Sequence, residues 1–215
     1  NILLLTIRSG NRLYLLPNEN NHPIWYRNLY THQVRDINQD GILDLPVLVE
    51  DFHFEVDRPN AEKQFLVSWC NVTRDGKGLE EVNKSVMGKG FDWILPKSWE
   101  DLTLQIMDQE GTINTGILIW AVNSDEYGGI PLARLHITKK EYLGMMNTTD
   151  GNYEILKELP NGFIIVGRIQ LDEGTMTPHK QRLLIEQQTL KANLRVWNDD
   201  ELKIILDQFA EYLKQ

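Results

Sequence analysis

Short apolar segments that alternate with polar residues dominate the chain, and this period of two is typical of β-strands. In the second half, Leu102 to Met107 alternates in this way, and Thr115 to Val122 is apolar enough for a central strand. A hairpin through Asp108 to Asn114 would join them. The same pattern predicts further strands over residues 91–95, 132–137, 153–158 and 163–170, with a short helix over 139–146. We therefore expect an antiparallel sheet between residues 90 and 172.

Two helices are predicted at the C-terminal end of this region. The first begins at Thr177, an N-cap residue followed by Pro178 at the first helical position. The second begins at Asn198, which forms a capping-box pattern with Glu201. Each has one apolar stripe, so both helices should pack on the sheet. The stripes are Leu183, Leu190, Leu194 and Trp197 in the first helix, and Leu202, Ile205, Leu206, Phe209 and Leu213 in the second.

The first part of the chain shows strand patterns instead. Ile2 to Ile7 and Arg12 to Leu16 are typical of a hairpin, and further strands are expected at residues 24–30 and 65–69. The Gly-rich stretch Met87 to Gly90 marks a boundary. The predicted fold class is α+β. A small all-β unit over residues 1–89 precedes an α+β sandwich domain over residues 90–215, in which the antiparallel sheet packs against the two C-terminal helices.

Composition narrows the classes of function. The 215 residues carry a net charge of −9, and the longest basic cluster is Lys139-Lys140, which argues against nucleic-acid binding. The longest apolar run, Gly116 to Val122, is much shorter than the roughly 20 residues that a membrane-spanning helix needs. Cys70 is the only cysteine, so an internal disulfide and a multi-cysteine zinc site are excluded.

The loop from Asp36 to Asp44 contains the clearest motif of the chain. Asp36, Asn38 and Asp40 occupy positions 1, 3 and 5 of a calcium-loop pattern, and Asp44 occupies position 9. Alternate oxygen-bearing side chains on a tight loop converge on one point, so they suit a calcium ion. Gly41 permits the bend, and the backbone carbonyl of Ile42 would add a ligand. The position-12 glutamate is absent because Val47 stands there, and an Asx-rich turn without metal explains the same residues.

This stretch resembles the calcium loop of FG-GAP/VCBS-type propeller blades, in which the loop lies between two short strands. Together with the later Phe-x-x-x-Leu-Pro-x-Ser-Trp segment from Phe91 to Trp99, it is similar to uncharacterised exported lipoproteins of Gram-positive bacteria. The resemblance implies an extracellular or cell-surface location and a blade-like N-terminal unit that ends a larger propeller. It carries no set of functional residues. Because residue 1 is Asn1, we also expect an upstream segment, in which a lipid anchor could lie.

No catalytic constellation is recognisable in the sequence, so no catalytic or cofactor-binding residue is predicted apart from the calcium ligands. Ser68 and Ser98 lack a nucleophile-elbow motif, and Cys70 beside Trp69 is interpreted as a packing residue. Five acidic pairs occur where solvated turns or helix starts would place them. They are Asp51/Glu55, Glu80/Glu81, Asp125/Glu126, Asp172/Glu173 and Asp199/Asp200.

The histidines and tryptophans are interpreted mainly as structural. His136 lies in a predicted strand, where a hydrogen-bonded or solvent-facing position is expected. Trp120 and Trp197 fit buried positions, whereas Trp99 beside Pro96 is expected at the surface.

Two hypotheses for the function stay open. In the first, this is a non-catalytic exported or cell-surface protein that binds a protein or glycan partner, with calcium stabilising the N-terminal unit. In the second, it is a glycosidase-like hydrolase whose acidic residues meet only in the fold. A concave site with two carboxylates about 5 to 10 Å apart would favour the second hypothesis. The oligomeric state is left open.

Overall fold

The chain divides into two compact units in the computed structural model. The model describes residues 2–4, 6–9, 12–15, 25–27, 34–48, 66–73, 79–100, 102–121, 130–170 and 183–213. The first unit comprises Asn1–Asp57 and Leu66–Ser85, and the second comprises Arg58–Phe65 and Val86–Gln215. The sequence analysis had set the boundary a few residues later, at the Gly-rich stretch. Strand content exceeds helix content, and the fold is mixed α+β with antiparallel sheets.

The first unit is built from short antiparallel strands among its described residues. Strands β2 and β3 form the hairpin predicted at the start of the chain, with Thr6 opposite Leu15. The preceding strand β1 pairs with β4, and β5 pairs with β6 in a register that sets Leu45 opposite Cys70. The bounds are β1 Ile2–Leu4, β2 Thr6–Ser9, β3 Arg12–Leu15, β4 Trp25–Arg27, β5 Leu45–Leu48, β6 Leu66–Val72 and β7 Leu79–Met87, the last of which continues into the second unit.

A five-stranded antiparallel sheet forms the centre of the second unit, in the order β12-β13-β11-β10-β9. Apolar residues fill the middle strands because both faces of these strands are covered, and β10 from Thr115 to Ile119 is buried throughout. The predicted strands are therefore present, but the one predicted at residues 91–95 forms β8, which belongs to another sheet and not to this one. Their bounds are β8 Phe91–Ile94, β9 Leu104–Glu110, β10 Asn114–Ala121, β11 Ile130–Lys139, β12 Glu154–Glu158 and β13 Phe163–Ile169.

Two helices pack on one face of this sheet. Helix α2 spans Gln187–Ala192 and helix α3 spans Asp199–Tyr212, whereas helix α1, Leu143–Asp150, joins β11 to β12. The ring of Phe209 on α3 lies 5.8 Å from that of Phe163 on β13. On the same face, Gly167 leaves room for Leu190 of α2, because an added Cβ would lie 3.3 Å from its side chain. The predicted docking of the last helix on the sheet is thus observed.

The predicted long helix from Thr177 to Trp197 is wrong at residues 184–186, which are not helical, and after Ala192. Helix α2 ends at Ala192, and residues 194–196 form strand β14, Leu194–Val196, which pairs with β8. The Asn193 side chain donates to the Ile94 carbonyl at 2.9 Å, so the chain leaves the helix to satisfy the edge of β8. The predicted start at Thr177 lies outside the described residues.

Three indole N–H groups form hydrogen bonds between residues 92–99 and the C-terminal segment over residues 183–197. Trp93 donates to the Leu190 carbonyl at 3.1 Å, and Trp99 donates to the Leu183 carbonyl at 2.9 Å. Trp197 donates to the buried carboxylate of Asp92 at 2.9 Å. Trp99 is therefore fully buried, at 0% exposure, and the predicted surface position for it is wrong. The burial predicted for Trp197 is confirmed, whereas Trp120 is only half-buried.

Candidate functional site

The acidic loop of the first unit is closed at its base by an isolated antiparallel bridge. Arg35 donates its backbone N–H to the Asp44 carbonyl at 3.2 Å, and Asp44 donates its N–H to the Arg35 carbonyl at 2.7 Å. Strand β5 begins at the next residue, Leu45. The loop from Asp36 to Asp44 is therefore held at both ends by the same pair of residues.

Two residues with positive φ make the tight bend of the loop. Gln39 has a φ of 64° and Gly41 a φ of 87°. Glycine adopts this conformation without steric cost, and the residue at position 6 of the calcium pattern is Gly41, as the sequence analysis required. The bend turns the preceding side chains toward the backbone of the loop.

Side-chain oxygens of the first three predicted ligands converge on the loop amides. The two carboxylate oxygens of Asp36 accept from the backbone N–H groups of Asp40 at 3.0 Å and Gly41 at 2.8 Å. Asn38 Oδ1 accepts from Asp40 N–H at 3.1 Å, and Asp40 Oδ1 accepts from Ile42 N–H at 2.8 Å. A further bond of 2.9 Å runs from Asn38 Nδ2 to Asp40 Oδ2. These three residues are thus brought together.

Asp44 differs from the other carboxylates of the loop because its side chain is fully buried, at 0% exposure. Its Oδ2 accepts from the backbone N–H of Ile37 at 2.9 Å. Its Oδ1 has no hydrogen-bond partner among the described residues. A buried carboxylate oxygen without a partner is costly unless it is neutralised.

Burial raises the pKa of Asp44 above the ordinary 3.8. The backbone N–H groups of Ile37 and Asn38 oppose this shift, whereas repulsion from the Asp40 and Asp36 carboxylates reinforces it. Three negative charges on one short loop therefore disfavour one another, and a cation would relieve both the repulsion and the desolvation.

The residues present fit a calcium ion in their donor chemistry. The side-chain atoms predicted to bind the metal are all oxygens, which hard cations prefer as ligands. A carboxylate has about four lone-pair sites, so the oxygens of Asp36 and Asp40 can bind a cation while they accept from amides. Among the residues that the structure describes, no three His, Cys, Asp or Glu side chains are placed so as to share a metal ion. Calcium binding would therefore require the carboxylates to reorient.

Ile42 contributes only its N–H to the observed hydrogen bonds of the loop, so its carbonyl stays a predicted ligand. Its side chain is 56% exposed and that of Leu43 is 65% exposed. Ile37, by contrast, is buried. The loop is thus anchored at Ile37 and Asp44, and it is exposed over the turn between them.

The residues considered for catalysis have structural surroundings. Burial raises the pKa of the Cys70 thiol to about 11, which suppresses the thiolate and agrees with a packing role. Glu80 and Glu81 are consecutive in β7 and exposed, so they point to opposite faces and cannot act together on one bond. Asp199 and Asp200 are exposed at the start of α3. Both members of each of the other three acidic pairs lie outside the described residues.

No family model, curated protein or solved structure matches this chain. In the described part of the chain, no helix is both long and apolar enough to cross a membrane.

Sequence analysis did not single out a pair of arginines in the second unit. Arg134 on β11 lies directly opposite Arg168 on β13 in the sheet register. The signal in the sequence is an arginine flanked by apolar residues in each strand, as in Ala133-Arg134-Leu135 and Gly167-Arg168-Ile169. Only the strand pairing brings the two together.

Proposed function

We propose that the loop from Asp36 to Asp44 binds one calcium ion that stabilises the first unit of a non-catalytic, exported or cell-surface binding protein. The observation that carries this proposal is Asp44 Oδ1, a buried carboxylate oxygen without a hydrogen-bond partner in the described part of the chain. Its neighbours Asp36, Asn38 and Asp40 supply further oxygens, and the Ile42 carbonyl completes the proposed set.

Calcium suits this loop better than magnesium or zinc. The side-chain donors are all oxygens on an exposed turn, and calcium accepts irregular arrangements of 6–8 oxygens, whereas magnesium demands near-ideal octahedral geometry. Zinc favours the imidazole nitrogen of histidine and the sulfur of cysteine, and neither residue occurs in the loop. Because Val47 replaces the bidentate ligand at position 12, the affinity should lie in the range of extracellular modules, with a Kd of about 10⁻⁴–10⁻³ M.

A binding role is favoured over hydrolysis by the environments of the reactive groups. The only thiol is buried with a raised pKa, and the described acidic pairs do not face a common point on their strand or helix. The partner in this proposal is a protein or a glycan. A weak calcium site is useful where free calcium is millimolar, which is the extracellular side of a membrane.

Thermal unfolding of the full chain in EDTA, in calcium chloride and in magnesium chloride at equal ionic strength tests the metal site. At a calcium concentration 100 times the Kd, binding stabilises the folded state by about 2.7 kcal/mol. We expect a calcium-dependent rise in Tm that magnesium does not reproduce. Asp40→Asn keeps the acceptor for the Ile42 N–H but removes a charge, so it should abolish the rise while the Tm in EDTA is maintained.

The matched control is Glu154→Gln, which removes an exposed carboxylate on β12 of the second unit. Its calcium response should equal that of the unmodified protein. An unchanged Tm up to 10 times the upper estimate of the Kd, or an equal rise in Asp40→Asn, would show that the loop is an Asx turn without a metal. Protease treatment of intact cells tests the location, since a protein protected unless the cells are lysed would contradict surface exposure.

A further inference from the structure

The central sheet of the second unit places two arginines side by side. Arg134 on β11 pairs in register with Arg168 on β13, so their Cβ atoms are about 4.5–5.5 Å apart on one face. Both residues are half-buried. Like charges directly opposite in a sheet repel each other, so this pair of positions favours bound negative charge.

Arg168 makes no hydrogen bond or ion pair with the residues that the structure describes, and its Nη1 is buried without an acceptor. Its guanidinium lies 5.9 Å from the centre of the Tyr153 ring, which provides a cation–π contact. Gly151 permits this position, because a Cβ there would lie 2.3 Å from Arg168 Nη1. The ring face does not satisfy the five N–H donors of the guanidinium, so the guanidinium can still donate hydrogen bonds to an anion.

The same face of the sheet carries two more unsatisfied donors. Trp120 follows Leu118 by two positions on β10, and Leu118 pairs with Arg134. Gln170 follows Arg168 by two positions and donates its backbone N–H to the Leu132 carbonyl at 2.9 Å. The register between β10 and β11 shifts between Ile119 and Trp120, but β10 pairs with β9 without a shift through this point, so Trp120 stays on the face of Leu118. Because residues two apart share a face, these side chains belong to the face of the arginines. Trp120 Nε1 and Gln170 Nε2 are both buried without an acceptor in the described part of the chain.

The unsatisfied atoms of Arg168, Trp120 and Gln170 are all N–H donors. Strands lie about 4.8 Å apart and alternate residues about 6.8 Å apart, so Trp120 and Arg168 are roughly 12 Å apart between their Cα atoms. A ligand that satisfies this set must bring oxygen acceptors spread over that distance, with negative charge at the arginine end.

We propose that this face, termed the arginine face and defined by Trp120, Arg134, Arg168 and Gln170, binds an oxyanion carried by an oxygen-rich ligand. A carboxylate, sulfate or phosphate group binds the Arg168 guanidinium, whose planar fork holds such anions in a bidentate manner, and Arg134 on the neighbouring strand adds positive charge. Neutral oxygens of the same ligand accept from Trp120 and Gln170. The site lies in the second unit and is independent of the calcium loop.

Side-chain NMR of the ¹⁵N-labelled full chain tests this proposal. The probes are sodium sulfate, sodium phosphate and sodium glucuronate, each titrated against sodium chloride at constant ionic strength. We expect saturable shifts of the Arg168 Nε–Hε and Trp120 indole signals. A stronger response to glucuronate than to the inorganic anions identifies a carboxylate, and the reverse order identifies a sulfate or phosphate ester.

Arg168→Gln should weaken binding of the preferred anion at least tenfold, and Arg168→Lys should give an intermediate affinity because it retains charge without the planar fork. Lys203→Gln, which removes an exposed charge from α3, is the control and should bind like the unmodified protein. Each variant is first shown to be folded by its amide spectrum. Absence of a saturable shift with all three anions, or equal affinity in Arg168→Gln and Lys203→Gln, overturns the proposal.

Discussion

The hydrogen bond from Trp197 to Asp92 should contribute more to stability than the other two indole bonds of the second unit. Trp93, Trp99 and Trp197 are all buried and each donates one N–H, so replacement by phenylalanine removes the same ring atoms from each. The acceptors differ. Trp93 and Trp99 donate to backbone carbonyls, whereas Trp197 donates at 2.9 Å to the fully buried carboxylate of Asp92.

The difference between acceptors sets the expected magnitudes. A neutral hydrogen bond contributes about 0.5–1.5 kcal/mol to stability, and a bond to a charged group contributes about 1.5–3 kcal/mol. The loss of packing is shared by the three variants, so Trp197→Phe should be more destabilising than Trp93→Phe or Trp99→Phe by about 1 kcal/mol. The excess belongs to the carboxylate acceptor.

Urea denaturation followed by far-ultraviolet circular dichroism measures this difference without relying on tryptophan fluorescence, which the substitutions alter. A double-mutant cycle of Trp197→Phe with Asp92→Asn gives the coupling energy directly. Losses that are equal for the three variants within about 0.3 kcal/mol, together with a coupling energy near zero, would refute the reasoning.

Three further predictions concern the sheet of the second unit, helix α1 and the acidic loop. Gly116→Ala should be strongly destabilising, because its Cβ would lie 2.0 Å from the Leu135 carbonyl oxygen. Gly144→Ala in α1 should raise the free energy of unfolding by up to about 1 kcal/mol, because a Cβ there meets nothing within 4 Å and alanine favours the helix. Thermal unfolding measures both changes. In EDTA, the pKa of Asp44 is higher in the folded state than its ordinary value of 3.8, so protonation of this carboxyl favours folding. The free energy of unfolding should therefore fall as the pH rises from 3.8 through the folded-state pKa. Asp44→Asn should remove this part of the pH profile, and identical profiles for the two proteins between pH 3 and 7 would contradict it.

The strand pattern of the second unit could be predicted because the period of two survives wherever one face of a strand is buried. The helix that was expected to reach Trp197 shows the limit of this method. Leu190, Leu194 and Trp197 have helical spacing, but the open edge of β8 offers backbone partners to residues 194–196, and this pairing overrides the periodicity. Sequence spacing cannot reveal a partner about one hundred residues away.

The candidate sites show the same division between local and long-range information. The side-chain oxygens and the bend of the acidic loop are local features, so the spacing from Asp36 to Asp40 identified them. The burial of Asp44 depends on packing of the whole unit, and it was not predictable. The apposition of Arg134 and Arg168 depends on the register between β11 and β13, which a single sequence does not specify.

The pairing of β14 with β8 determines when this unit can become complete during synthesis. Phe91–Ile94 are all buried once paired, and Trp197 reaches Asp92 across a separation of 105 residues. At about 5–20 residues per second, the ribosome needs roughly 5–20 s to make the intervening chain. During that interval β8 has an unpaired apolar edge, which is the kind of surface that joins other chains. Nascent chains stalled before residue 194 should therefore depend on chaperones, whereas chains released after α3 should not.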